Sequence, residues 1–217
     1  MSRSVVPLLV VVALAVSAGC GGSSPKLPKD GQPAPTPSSG GAPWPAPPNP
    51  LELARKAGLT PEPEEQLLYH VHAHLDVFVN GEPVSVPAGI GIDIHDPAVH
   101  SAPLPDGTTA YGGISTPCAQ PCISPLHTHD VTGILHTESA TPTANTLGQF
   151  FIEWAVPLTN TCVGGYCQPA SPIAIYVNGQ LVTGDPRSIA LLDHTEIAIV
   201  IGRPPAQVPA TADWSKA

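Results

Sequence analysis

Residues 69–92 read YHVHAHLDVFVNGEPVSVPAGIGI, and their periodicity decides the architecture. From His70 to Val79 the chain alternates with period two, the mark of a strand with one buried face. Val71, Ala73, Leu75, Val77 and Val79 form the apolar face, and His70, His72, His74, Asp76 and Phe78 the other. Asn80–Gly81 follows, a pair suited to a tight hairpin turn because both central residues take positive φ there. A returning strand is expected from Val84 to about Ile94.

A similar unit recurs at 172–182, PIAIYVNGQLV, and a last strand is read in HTEIAIVIG, 194–202. Between them Leu147, Phe150, Phe151 and Trp154 fall at i, i+3, i+4 and i+7, one apolar helical stripe. Asn145 or Thr146 is placed to cap that helix. LELARKAGLTPEPEEQLL, 51–68, is expected to form one or two short helices. Residues 95–125 are loop-like, and so long a loop in a compact domain is usually functional or braced. The fold expected is α+β: a mixed, mainly antiparallel sheet with one packed helix and a β-grasp-like order in its second half. A β-sandwich is the alternative.

The ends of the chain differ in composition. Arg3, the apolar run Val5–Val16 broken by Pro7, and Ser17-Ala18-Gly19 read as a secretory signal over residues 1–20. The run is shorter than the ~20 residues a membrane span needs. The ending at Cys20 resembles a bacterial lipobox, which implies lipidation of Cys20 and attachment to the outer face of a membrane. Ser17 stands where a leucine is usual, so cleavage without lipidation is the alternative. Residues 21–50, rich in Pro, Gly, Ser and Ala, read as a disordered tether. A single domain is expected over 51–203, and 204–217 as a loose tail. The net charge of −9, with 8 Lys and Arg in all, excludes a phosphate-binding surface, so no nucleic-acid partner is expected. Beyond the lipid anchor the sequence identifies no partner. In an exported chain Cys118, Cys122, Cys162 and Cys167 are expected to form disulfides. The local pairs 118–122 and 162–167 and the crossed pairings all remain open.

The chemistry concentrates in LHTHDVTGILHTE, 126–138. Read as a hairpin turning at Thr132–Gly133, it sets His129 opposite His136 and His127 opposite Glu138. Any loop of even length keeps these four on one face; an odd loop separates them. Asp130 falls on the other face, in a structural role. His72 and His74 have the same two-residue spacing on the first strand. His72, His74, His127, His129 and His136 are therefore candidate metal ligands, with Glu138 as ligand or as hydrogen-bond partner of one. His70 and His194 are weaker candidates, and His95 and His100 sit in the long loop. Neutral imidazole suits Zn, Cu, Fe and Ni; an exported site with spare ligands points to copper or zinc.

The blocks HAHLDVFVNG, LHTHDVTGILHTE and TLGQFF together resemble a group of exported bacterial proteins and lipoproteins of uncharacterised activity. The likeness covers about residues 70–155 and implies export, but no mechanism. Three functions are consistent with the residues. One is an anchored, extracytoplasmic metal-binding module. Another is a metal-dependent hydrolytic enzyme in which Glu138 acts as general base. The last is a structural surface domain that binds no metal.

Overall fold

The computed structural model describes residues 44–216. The signal segment, Cys20 and linker residues 21–43 lie outside the described residues. In chain order the main elements are α1 (Pro50–Lys56), β1 (Tyr69–Val79), β2 (Glu82–Val84), β3 (His100–Pro103), β4 (Thr109–Gly112), β5 (Leu126–His127) and β6 (Ile134–Ser139). They continue as α2 (Leu147–Glu153), β7 (Cys162–Val163), β8 (Tyr166–Cys167), β9 (Ile173–Val177), β10 (Gln180–Val182) and β11 (Thr195–Ile201).

The alternation of β1 is reproduced in its burial, with Ala73, Leu75, Val77 and Val79 all buried. Asn80 and Gly81 take φ of 53° and 91°, and Asn178 and Gly179 take 50° and 74°, so both VNG units turn alike. The return strand β2 has 3 residues, far fewer than expected. The pairing passes through Pro83, opposite Phe78, and stops at Val84, before Pro87, which offers no amide hydrogen.

The main sheet runs β10-β9-β11-β1-β6-β5, with β2 beside the second half of β1. The first and last strands, β1 and β11, are its central, parallel pair; the other pairings are antiparallel. All seven residues of β11 are buried, as expected of a strand covered on both faces. This is an α+β arrangement built on one sheet, and the sandwich is not formed. The strand-strand-helix-strand-strand order of the second half is present, but β1 enters from the first half between β6 and β11.

The apolar face of β1 packs with Leu135, Ile197 and Ile199 against Leu147, Phe150, Phe151 and Trp154 of α2, each at most 1% exposed. Thr146 caps α2, accepting from the Gln149 amide while the Gln149 side chain accepts from the Thr146 amide. Among the described residues two helices pack rather than one: the Gln149 side chain donates to the Ala57 carbonyl beside α1 at 3.3 Å. Of the one or two short helices expected over 51–68, one forms, as α1; residues 61–68 instead brace the long loop, with Glu62 bridging to Ile123 and the Pro63 carbonyl accepting from the Cys118 amide.

Segment 95–125 is therefore not bare loop. It carries the β3–β4 ribbon and a small core of its own around Ile92, Val99, Cys118, Cys122 and Ile123. The disulfides are the local pairs, Cys118–Cys122 and Cys162–Cys167.

Both outer boundaries move. Trp44, assigned to the linker, packs edge-on against Trp154 and Tyr166, and its carbonyl accepts from the Trp154 indole at 3.0 Å. The tail is not loose: Trp214 stacks on His194 at 4.6 Å and lies 6.4 Å from His74. Among the described residues no helix is long and apolar enough to cross a membrane.

Candidate metal centre

β1 lies directly beside the hairpin, with His72 opposite His136 and His70 opposite Glu138. Cross-strand neighbours of this kind have Cβ atoms about 4.5–5.5 Å apart. The hairpin register is His127↔His136 and Leu126↔Thr137, two positions away from the pairing expected of a Thr132–Gly133 turn. Long-range contacts open the loop to residues 128–135. The Gly133 carbonyl accepts from the Leu75 amide at 2.9 Å, and His129 is drawn towards β4. The loop keeps an even length, so the parity argument survives the slip. His127, His129, His136 and Glu138 form one group whose ligand atoms all lie within 4.8 Å of one another. Asp130 is structural: its carboxylate accepts from the amide and the hydroxyl of Thr132, closing the loop.

The second nitrogens of two rings are already committed. His127 Nδ1 lies 2.8 Å from the Ser124 carbonyl, and His129 Nδ1 lies 2.5 Å from the Tyr111 carbonyl. A carbonyl can only accept, so both Nδ1 atoms carry the proton and both Nε2 atoms present lone pairs. Those two Nε2 atoms lie 3.3 Å apart. His127 Nε2 and His136 Nδ1 are each 3.7 Å from Glu138 Oε1. Ligands 2.0–2.1 Å from a tetrahedral ion are separated from each other by about 3.3–3.4 Å. The spacing of the group thus fits a small transition-metal ion held by three imidazoles and a carboxylate.

The electrostatics favour neutral rings. Burial pushes His127 and His136 well below the ordinary histidine range, and the neighbouring imidazoles push them further. His70 and His72 are lowered by burial too. Burial, helped by Glu65, holds the Glu138 carboxyl up at about 7. Neutral imidazole is the ligand form.

One expected ligand falls elsewhere. His74 does not join the centre: β6 begins at Ile134, opposite His74, and leaves it no partner there. It sits instead with Asp76 and Glu196, its Nδ1 2.9 Å from Glu196 Oε2 and its Nε2 donating to the Thr132 carbonyl at 2.8 Å. Burial acts to lower His74, but Glu196, Asp76 and the Thr132 carbonyl together raise the imidazole. His74, Asp76 and Glu196 form a separate group between β1 and β11 whose ligand atoms also lie within 4.8 Å of one another. His70, a weaker candidate, belongs to the cluster, its Nε2 3.2 Å from Glu138 Oε1. His194 does not; it is exposed and stacked on Trp214.

A cavity of about 600 Å³ opens onto the cluster, reaching His70, His72, His129, His136 and Glu138. The β3–β4 ribbon forms one wall, including His100, whose Nε2 lies 3.2 Å from the Ser115 hydroxyl. Gly112 lets the ribbon come close: a Cβ there would lie 2.3 Å from His129 Nδ1, and its φ is +136°. Sequence reasoning missed Ser124, Tyr111 and Gly112, because the contacts that orient a ligand come from backbone atoms of distant segments. Family models, curated proteins and solved structures were all searched, and none matches this chain.

Proposed function

We propose that this protein binds a transition metal ion, copper or zinc, through His127, His129, His136 and Glu138. On this reading it works outside the cytoplasm, attached to the membrane by a lipidated Cys20. The observation that carries the metal reading is the 3.3 Å approach of the His127 and His129 Nε2 atoms while both Nδ1 hydrogens are given to carbonyls. Two lone pairs held that close call for a positive charge between them. Two disulfides fit an oxidising compartment outside the cytoplasm, and the resemblance of 70–155 to exported proteins is consistent with that.

The cavity supports a second reading, metal-dependent hydrolysis. Three histidines would hold the ion, a bound water would be activated, and Glu138 would take its proton. The test of metal binding is elemental analysis of disulfide-intact protein, with thermal denaturation in added Zn²⁺ or Cu²⁺. At a thousandfold excess over Kd, binding stabilises the fold by about 4 kcal/mol. His129→Ala is expected to abolish most of that gain. No bound metal and no stabilisation would leave only the metal-free surface domain.

A further inference from the structure

The cluster holds more donors than one ion uses. The group of His127, His129, His136 and Glu138 accounts for a complete tetrahedral shell. A second group, His70, His72 and His136, also has its ligand atoms within 4.8 Å of one another, and it shares only His136 with the first. Its rings are close: His70 and His72 centroids are 4.4 Å apart, and His72 and His136 are 4.6 Å apart. His70 Nε2 lies 3.5 Å from His136 Nδ1.

Two buried atoms in this region lack a partner, His72 Nε2 and Glu138 Oε2. An unpaired buried acceptor is costly, and such atoms call for an explanation. An ion beside the first one would engage both.

The two groups differ in exposure. His127 is fully buried and does not line the cavity, whereas the His70 side chain is 35% exposed and lines it with His72. His129, His136 and Glu138 reach the cavity as well, and only His127 of the inner group is withdrawn from it; His70 and His72 stand at the open end, where a coordination position is left free. Acidic groups flank it. The Asp193 carboxylate accepts from the His72 amide at 3.3 Å, and the Glu65 carboxylate accepts from the Gly113 amide on the cavity rim.

We propose that the centre takes two divalent ions: an inner one on His127, His129, His136 and Glu138, and an outer, exchangeable one on His70, His72 and the second oxygen of Glu138 at the cavity floor. This rests on the metal reading above. The ions share the Glu138 carboxylate, whose Oε1 lies 3.7 Å from His127 Nε2 and 3.2 Å from His70 Nε2, so they are close enough for their unpaired electrons to couple. The outer ion is the one an incoming ligand meets.

The test is a Cu²⁺ titration of the full, disulfide-intact chain, read by bound copper per chain and by integrated electron paramagnetic resonance intensity. The expected result is two equivalents bound, with resonance intensity growing over the first and falling short of doubling over the second. His72→Ala is expected to bind one equivalent with a full uncoupled signal. His70→Ala, at a more exposed position, repeats the measurement should His72→Ala fold poorly. One equivalent in the parent, unchanged in both variants, overturns the outer site and leaves the inner one standing. Two equivalents with fully additive signals overturn the shared carboxylate. No bound copper overturns this inference and the metal reading together.

Discussion

Glu153, at the end of α2, is fully buried, and neither carboxylate oxygen has a hydrogen-bond partner that would hold its charge. Burial pushes its carboxyl from 4.5 up to about 8, against a smaller opposing effect of the Ser124 hydroxyl. The folded protein therefore keeps a proton that the unfolded chain releases near pH 4.5. Below that pH the contribution is fully present, and it is lost as pH rises through about 8. At 1.36 kcal/mol per pH unit, the gap corresponds to about 5 kcal/mol, an order-of-magnitude figure. That is comparable to the whole stability of a small domain. Glu153→Gln keeps the shape and removes the ionisation. Urea denaturation followed by circular dichroism at pH 4, 6, 7 and 9 should show the parent falling steadily below the variant across this range. Parallel stability profiles would refute the reasoning, because they would mean that Glu153 is solvated or paired in the native state.

Other consequences concern the site and its supports. Gly112→Ala is expected to displace His129 and weaken zinc affinity by ~10–100-fold, the usual effect of disturbing a ligand's orienting contact, and to lower the melting temperature of the metal-free protein as well, because an L-residue is strained at this positive φ; calorimetric titration and thermal denaturation measure the two effects. Trp44→Ala should cost about 2 kcal/mol in chemical denaturation, since a half-buried indole is lost from Trp154 and Tyr166. An unchanged midpoint would mean that the domain begins after this residue. Thr146→Ala should lower stability by ~1 kcal/mol through loss of the α2 cap, with no change in metal stoichiometry.

Much of this was legible in the residues. The period-two run of β1, the apolar β11 and the i, i+3, i+4, i+7 stripe of α2 are local patterns, and each formed where its pattern lies. The shared face of His127, His129, His136 and Glu138 was legible too, because it depended on loop parity and not on the exact pairing. What could not be read is long-range. The two-residue slip of the hairpin follows from contacts of Gly133 with Leu75 and of His129 with Tyr111. The exchange of His74 for His70 depends on where β6 stops along β1. Trp44 was hidden by the prolines around it, whose composition says tether while one indole finds the core. Cysteine spacing left the disulfide connectivity open, and only the positions of the two turns decide it.

The parallel pairing of β1 with β11 bears on how the molecule comes into being. Ala73 pairs with Thr195, 122 positions later, so the centre of the sheet joins nearly the two ends of the domain. Folds with such distant pairings form slowly, because loop-closure entropy is spent before the contacts are gained. A chain delivered from its N-terminus would present His70 and His72 to its surroundings while their sheet still lacked its central partner. Ordered histidines would appear only once the last strand had arrived, which ties the assembly of the metal centre to completion of the whole chain.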